Sequence, residues 1–229
     1  GDIFTLAGEF VRSSDFMEQA RFITEAGIVP LPQIESRPHK TVEKKPAFEE
    51  VEIRPLNHRA LLSYLEERGI ALAIAKQHCK EIHFWLYGKR YFAIGYGNRC
   101  GGFELRNRFF KGCIPPKDFS SFRQGSSRCH LYEGFMDWLS ALTLGIGTTE
   151  DSLVLNSVAN VDKAIPALED YQEIVCHLDH DDAGRRTVEV LRKHFGECVT
   201  DHSGLYSGYK DLNEYLVAKQ KISNHQNKE

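Results

Sequence analysis

From residue 128 onward, the chain alternates short apolar segments with longer segments of helical periodicity. Apolar and β-branched residues dominate the short segments CHLY, SLVLNS, EIVCHL and ECVTD. Each is followed by a segment of helical pattern: GFMDWLSALTLG, VDKAIPALEDY, DAGRRTVEVLRKHF and KDLNEYLVAK. Strands that alternate with helices form βαβ units, whose parallel strands are covered by helices on both faces. The alternation therefore predicts an α/β domain over residues 128–220.

The region before it, residues 56–127, has a different pattern. One helix is predicted to begin at the candidate cap Asn57 and to end near Gly69, and a second short helix to cover residues 71–78. The three segments that follow, EIHFWLY, RYFAIGY and GGFELRN, alternate in the manner of strands joined by tight turns. Residues 112–128 contain loop signals and are expected to be irregular. The region is predicted to be a small mixed α+β subdomain.

The N-terminal part is predicted to be a short piece followed by a linker. Residues 15–26 have the apolar spacing of a helix, and residues 30–55 contain five of the eight prolines, among lysines and glutamates. We expect residues 1–29 to be too short to fold alone and residues 221–229 to be a disordered tail. Because the sequence begins at Gly1 without an initiator methionine, we expect it to be a fragment of a longer protein.

The composition limits the classes of protein to which the chain can belong. Its 229 residues are 41% hydrophobic and 27% charged, which is typical of a soluble globular protein. The net charge of −3 excludes a generally basic surface, so nucleic-acid binding would need a local basic patch. The six cysteines form no CxxC pair, and no apolar stretch approaches the length of about 18 residues that spans a membrane. We therefore expect a cytoplasmic protein with no membrane segment.

Acidic residues follow two of the predicted strands. Glu133 comes directly after CHLY, with Asp137 one helical turn further on, and Asp179 and Asp181 follow EIVCHL. The carboxyl ends of parallel strands meet at one edge of a sheet, so we expect these acids to lie close together. Clustered carboxylates repel one another, and a hard divalent cation such as Mg²⁺ or Mn²⁺ removes that repulsion. In the alternative interpretation, Asp181 or Asp182 caps the next helix and Glu133 interacts with a helix dipole.

Together, EGFMD (133–137) and DHDDAG (179–184) resemble the signature of the TOPRIM domain, which bacterial-type DNA primases share with topoisomerases and some nucleases. The stretch KDLNEYL (210–216) resembles the segment that closes this domain in primase-like proteins of mobile elements. Upstream, YLEERGI (64–70) and residues 91–112 resemble the N-terminal part of a primase catalytic core.

The resemblance implies a TOPRIM Rossmann-like parallel sheet flanked by helices and preceded by a small mixed α+β subdomain. It implies nucleotidyl transfer, in which ribonucleoside triphosphates are joined into RNA primers on a single-stranded DNA template, with a replicative helicase as a further partner. Residues 1–28 resemble the tail that follows a CHC2 zinc finger, so zinc is expected only in an upstream segment. The implied catalytic acids and metal ligands are Glu133, Asp179 and Asp181, with Asp137 and Asp211 as further metal ligands.

Basic and aromatic residues are interleaved in the segment ELRNRFFKG. Its cations could contact phosphates, and Phe109 or Phe110 could stack on a base. The alternative is that the charges are solvated and the two aromatic rings belong to the core. The nucleic-acid or nucleotide ligands that we predict are Arg106, Arg108, Lys111, Arg185 and Lys210.

Two other functions remain open from the sequence. A metal-dependent TOPRIM nuclease would use the same acids and would need a general base, for which His180 and His202 are candidates. A non-catalytic DNA-binding accessory protein of replication or mobilisation would keep the metal site only as a structural element.

Overall fold

The structure is a computed structural model that describes residues 3–13, 16–25 and 48–226. It divides into two units, residues 1–45 and residues 46–229. Within the described residues, no helix is both long enough and apolar enough to cross a membrane.

The first unit contains two helices, α1 (Ile3–Val11) and α2 (Phe16–Glu25), which are in contact with each other. The rings of Phe10 and Phe22 stack between them, with centroids 6.0 Å apart. The helix that was predicted for residues 15–26 is thus confirmed. Most of the predicted linker lies outside the described residues.

An antiparallel sheet begins the second unit, and its five strands are adjacent in the order of the chain. Tyr87 and Gly88 form a two-residue turn between the second and third strands, with φ of 51° and 71°. Positive φ at both positions is the geometry that suits the right-handed twist of a hairpin. The strands are β1 (Glu49–Pro55), β2 (Lys80–Leu86), β3 (Lys89–Gly97), β4 (Phe103–Arg106) and β5 (Lys111–Ile114). Helices α3 (Arg59–Glu67) and α4 (Leu72–His78) lie between β1 and β2 in the chain.

A second sheet of five strands follows, and its order is β10-β9-β7-β8-β6. Its strands are β6 (Ser120–Phe122), β7 (Arg128–Tyr132), β8 (Asp151–Val154), β9 (Glu173–His177) and β10 (Val199–Asp201). Its helices are α5 (Phe135–Leu144), α6 (Val161–Leu168), α7 (Asp182–Phe195) and α8 (Leu212–Gln226). The four strands β7 to β10 are parallel and β6 is antiparallel to β8. The predicted α/β fold with a parallel sheet and a preceding antiparallel region is therefore confirmed.

Buried side chains on the two faces of the parallel sheet belong to different cores. Leu131 and Cys176 lie in one core together with Leu191 of α7. Tyr132, the next residue of β7, lies in another core that also contains Trp138 of α5 and residues of α3, α4, α8 and β3. Because that second core includes residues of both sheets, it holds them in a fixed relation.

Three short segments differ from the sequence-based prediction. Strand β1 lies at the end of the range 30–55 that was predicted to be a linker, and all seven of its residues are exposed. Strand β1 lies at the edge of the sheet. Its apolar residues Val51 and Ile53 are too few to show the alternation of apolar and polar residues from which a strand is predicted. Strands β5 and β6 lie partly or wholly in the range 112–128 that was predicted to be irregular, and they have only four and three residues. Strands of this length are too short for a periodic pattern.

Two helix boundaries also differ. The cap of α3 is His58 and not Asn57, because the His58 side chain accepts a hydrogen bond from the Ala60 amide, with Nδ1 and N 3.2 Å apart. Helix α8 continues to Gln226, although residues 221–229 were predicted to be a disordered tail. The polar residues at the end of α8 do not show the apolar periodicity from which a helix is predicted.

Candidate functional site

A cleft of about 420 Å³ lies where the carboxyl edge of the parallel sheet faces β4 and β5 of the antiparallel sheet. Both walls carry charged side chains, and the two signs are equally represented. The acidic residues that line the cleft are Glu104, Glu133, Asp137, Asp179 and Asp211. The basic residues that line it are Arg68, Arg106, Lys111, Lys117 and Lys210.

Three aspartates form the tightest acidic cluster of the described residues. One carboxylate oxygen from each of Asp137, Asp179 and Asp211 lies within 4.8 Å of the others. Asp137 is buried in the first turn of α5, while Asp179 follows β9 and Asp211 precedes α8, both half-buried. The topology therefore brings together three acids that are separated by 42 and 32 positions in the chain. We call these three residues the aspartate cluster.

Three helices begin at this edge of the sheet, and two of the acids also cap them. Asp181 accepts a hydrogen bond from the Gly184 amide at 2.9 Å and is the N-cap of α7. Asp211 accepts one from the Glu214 amide at 2.7 Å at the start of α8. Asp137 lies in the first turn of α5. The positive ends of these three helix dipoles partly offset the negative charge of the acids.

The carboxyl groups of the site have raised pKa values. Burial raises the pKa of Glu133 to about 7, and the charges of Asp179 and Asp181 add to the shift. Burial and the charge of Asp211 raise the pKa of Asp179 to about 6, although Lys210 lowers it in part. Burial, with Asp211 and Asp179, raises the pKa of Asp137 well above its ordinary value. Ionising these acids therefore costs free energy, because the protein places too little positive charge beside them.

A divalent cation fits this donor set. Oxygen Oε2 of Glu133 is buried and has no hydrogen-bond partner among the described residues. A buried acceptor without a partner is costly, and a cation would remove that cost. Carboxylate oxygens are the ligands preferred by Mg²⁺ and Mn²⁺, which need only one or two of them each. Glu133 and the aspartate cluster are the residues that could hold such an ion.

The predicted acids thus occupy different positions within the site. Asp137 and Asp211, which were expected only as further ligands, lie in the aspartate cluster with Asp179. Glu133 lines the same cleft. Asp181 is not part of the aspartate cluster, and its side chain caps α7 as the alternative interpretation expected.

Of the five predicted basic ligands, three line the cleft. Arg106 and Lys111 are directly opposite each other on β4 and β5. Nitrogen Nζ of Lys210 lies 3.8 Å from Oδ2 of Asp179. Arg108 and Arg185 point elsewhere, since Arg108 forms an ion pair with Glu67, and Arg185 forms one with Asp182.

The two aromatic residues beside these cations have different environments. Phe110 is partly buried and packs against Phe84 and Tyr91 at the edge of a core, with ring centroids 5.8 and 6.4 Å away. Phe109 is 92% exposed at the turn between β4 and β5. Only Phe109 is therefore free to stack on a ligand.

A buried asparagine connects the end of α3 to the aspartate cluster, and it was not predicted from the sequence. Asn213 is 0% exposed, and its backbone amide donates to Oδ1 of Asp137 at 3.3 Å. Its side-chain amide donates to the Arg68 carbonyl at 2.9 Å and to Ser140 Oγ at 2.8 Å. Its side-chain oxygen accepts a hydrogen bond from Nε of Arg68. Asn213 therefore fixes the end of α3 against the start of α8.

Among the described residues, no histidine lines the cleft. His177 is buried in the parallel sheet with Nε2 3.0 Å from Nδ1 of His130. His180 donates from Nδ1 to the Tyr209 carbonyl at 2.6 Å. Neither His180 nor His202 is among the residues that line the cleft.

Comparisons with known proteins agree with this architecture. Residues 130–216 match the family model described as Toprim-like, and residues 50–115 match a domain of unknown function, DUF8464. The sequence matches no curated protein.

Among solved structures, the primase fragment of the bacteriophage T7 primase-helicase is similar over 80% of this chain and 82% of its own, with 18% identity and a TM-score of 0.52. The Aquifex aeolicus primase, with its zinc-binding and RNA polymerase domains, is similar over 99% of this chain and 69% of its own, with 14% identity and a TM-score of 0.51. A third similar structure is a T7 lagging-strand DNA polymerase complex with primase domains bound to an RNA/DNA hybrid and dTTP. It covers 78% of this chain and 91% of its own, at 14% identity and a TM-score of 0.50.

These similarities establish one domain and the fold. The chain contains a Toprim-like domain, and its fold is similar to that of the primase structures. The Toprim-like domain and the fold that the acidic motifs predicted are confirmed.

Proposed function

We propose that this protein is a primase-like nucleotidyltransferase, which joins ribonucleotides into RNA primers on a single-stranded DNA template with Mg²⁺ or Mn²⁺. The observation that carries the proposal is the aspartate cluster at the carboxyl edge of the parallel sheet, facing a wall of cations across the cleft. The T7 primase fragment and the Aquifex aeolicus primase have a fold similar to that of this chain.

The acids and the cations have separate roles in the proposed reaction. A primer 3′-oxygen forms a bond to the α-phosphorus of the incoming nucleotide, and the bond from that phosphorus to pyrophosphate breaks. Glu133 and the aspartate cluster would hold the metal, which supplies charge neutralisation at the phosphates and a more acidic 3′-hydroxyl. Arg106, Lys111 and Lys210 would bind the phosphates, because they line the same cleft.

The wider context of the protein is also a proposal. The T7 structure of a primase bound to an RNA/DNA hybrid and dTTP supports nucleic acid and a nucleotide as substrates here. The T7 primase-helicase supports a helicase partner. We further propose that residues 56–127 and 128–220 act as the two parts of the catalytic core, and that zinc is bound only in an upstream segment. We also propose that the protein is encoded by a mobile element and functions in the cytoplasm.

The two histidines that a nuclease could use as a general base are not placed for that role. The candidate bases for hydrolysis, His180 and His202, do not line the cleft, and His180 already donates to a backbone carbonyl. No residue of the described cleft is a histidine.

Primer synthesis from labelled ribonucleotides on single-stranded DNA tests the proposal. The wild type should produce RNA only when Mg²⁺ or Mn²⁺ is present, and Asp179→Asn should abolish the product. Asp182→Asn is the matched control, because Asp182 is an exposed neighbour that pairs only with Arg185 in the described structure. Degradation of the template without synthesis would instead show a nuclease. DNA binding that survives chelation, with neither product, would show an accessory protein.

A further inference from the structure

One acid lies on the basic wall of the cleft. Glu104 of β4 is on the same face of the strand as Arg106, two residues further on, and both line the cleft. On β5, Cys113 is opposite Glu104, and Lys111 is opposite Arg106. Lys117 lines the same wall. A single carboxylate is therefore set among three cations.

Glu104 is not neutralised by these cations. Among the described residues, its carboxylate has no Lys or Arg nitrogen within the 4.0 Å of an ion pair. Burial raises the pKa of Glu104, and the neighbouring Cys113 thiol and the charges of Lys117 and Lys111 lower it only in part. Burial and Glu104 raise the pKa of the Cys113 thiol to about 12, so the thiol stays protonated, and it donates to the Ile114 carbonyl with Sγ and O 3.5 Å apart.

A carboxylate can accept several hydrogen bonds at once. Each ionised carboxyl group has two oxygens and about four acceptor positions. Glu104 is half-buried and faces the cleft, so a ligand in the cleft can reach its remaining positions. Phosphate oxygens would be repelled there, whereas a hydrogen-bond donor would be attracted.

We propose that Glu104 accepts a hydrogen bond from the nucleoside part of the bound nucleotide, from either a sugar hydroxyl or a base amine. This proposal rests on the nucleotidyl transfer proposed above. Residues two apart on a strand are about 7 Å apart, so Glu104 and Arg106 offer an acceptor and a cation at separate points of the wall. Phosphates then bind near Arg106 and Lys111, and the nucleoside binds near Glu104. Glu104 is thus a specificity residue that determines the orientation of the bound nucleotide in the cleft.

Calorimetry with the full chain and Mn²⁺ tests the proposal with two probes. ATP carries both phosphates and nucleoside, and inorganic tripolyphosphate carries phosphates alone. Glu104→Ala should weaken ATP binding about tenfold or more, which is the effect of losing a hydrogen bond to a charged group. Tripolyphosphate should bind equally well or more tightly, because a negative charge has been removed. Lys111→Met is the matched control on the same wall and should weaken both probes.

Two further comparisons identify the donor on the nucleoside. If the donor is the sugar 2′-hydroxyl, the wild type binds dATP more weakly than ATP, and Glu104→Ala binds the two equally. If the donor is the base amine, the same pattern appears between ATP and the purine riboside triphosphate that lacks the amine. Glu104→Gln keeps the shape of the side chain and should show the same preference in weaker form, which guards against a folding defect in the alanine variant.

The possible failures are distinguishable. If the wild type binds both probes and Glu104→Ala leaves ATP affinity unchanged, Glu104 does not contact the nucleoside and this proposal is overturned. Equal losses for ATP and tripolyphosphate also overturn it, because the effect would not concern the nucleoside. If the wild type binds neither probe, the nucleotidyltransferase function itself is contradicted, and this proposal with it.

Discussion

At the residue scale, the properties of the site follow from carboxylates that the fold buries and holds close to one another. The pKa values of Glu133 and Asp179 are raised to about 7 and about 6, first by burial and then by the neighbouring acids. At a pH between the ordinary and the raised pKa values, the folded, metal-free protein therefore binds more protons than the unfolded chain. Its free energy of unfolding falls as the pH rises through that window, since the site then becomes charged.

A bound cation should reverse this pH dependence. Protons compete with the metal for the same oxygens, so we expect Mn²⁺ affinity to increase as the pH rises through about 6 to about 7, with release of protons on binding. Calorimetry across this range, in buffers with different heats of ionisation, measures both quantities. Asp179→Asn should remove most of the binding. Affinity that does not change with pH would show that the metal is not held by these acids.

Asn213 is the second residue whose effect should be large. Asn213→Ala leaves the Ser140 hydroxyl and the Arg68 carbonyl without their partner in a buried region. We expect the free energy of unfolding to fall by about 2 kcal/mol or more. Mn²⁺ affinity should fall as well, because the side chain fixes the start of α8, from which the Asn213 backbone amide donates to Asp137. The matched control is Asn57→Ala, an exposed site at which we expect a change within about 0.5 kcal/mol. Equal unfolding curves for the two variants, measured in urea, would contradict this role.

At the element scale, prediction from sequence succeeded where a pattern was long enough to repeat. Helices α5 and α7 and strands β2 and β3 each show several repeats of their apolar period, and all were predicted. Strands β5 and β6 are too short to do so.

The residues of the site were likewise predicted only where a local pattern places them. Glu133 and Asp179 were predicted because strand ends meet in any parallel sheet, whereas Arg68, Glu104 and Lys117 reach the cleft only through the packing of two sheets.

The start of α3 shows how an element depends on a residue from elsewhere in the chain. Glu81 of β2 accepts hydrogen bonds from the amides of Asn57 and His58, at 3.2 and 2.7 Å, and lies 2.6 Å from Nε2 of His83. Burial alone would raise the pKa of Glu81, but the hydrogen bonds to His83 and the two amides lower it below its ordinary value. The stability that Glu81 contributes is therefore present above its ordinary pKa and is lost as the pH falls through the lowered one.

Replacing this acid should remove both the stability and its pH dependence. We expect Glu81→Gln to lower the melting temperature at neutral pH, and to lower it by less in acid, where the wild-type carboxyl is protonated as well. Glu52→Gln, an exposed acid on β1, should change the melting temperature little at either pH. Thermal unfolding followed by circular dichroism at several pH values measures this, and a pH-independent loss for Glu81→Gln would argue against the charge as its cause.

At the scale of the whole molecule, the cleft exists because one core is shared by both sheets. Tyr96 of β3 packs on Phe135 and Trp138 of α5, with ring centroids 5.3 Å apart in both pairs. Trp138 also packs on His78 of α4, at 4.7 Å. The wall that carries the cations and the edge that carries the acids are thus joined through these aromatic rings.

Trp138→Ala should therefore affect the site as well as the fold. The side chain is 1% exposed, and its removal leaves a cavity that we expect to cost about 3 to 5 kcal/mol. Leu191→Ala is the matched control, because Leu191 is equally buried but lies in the core on the other face of the parallel sheet. Both variants should unfold at lower urea concentration. Under conditions where both are folded, only Trp138→Ala should also bind ATP with Mn²⁺ more weakly, since it alone loosens the contact between the walls of the cleft. If the two variants bind ATP equally well, the walls are held by other contacts and the shared aromatic core is not what sets their spacing.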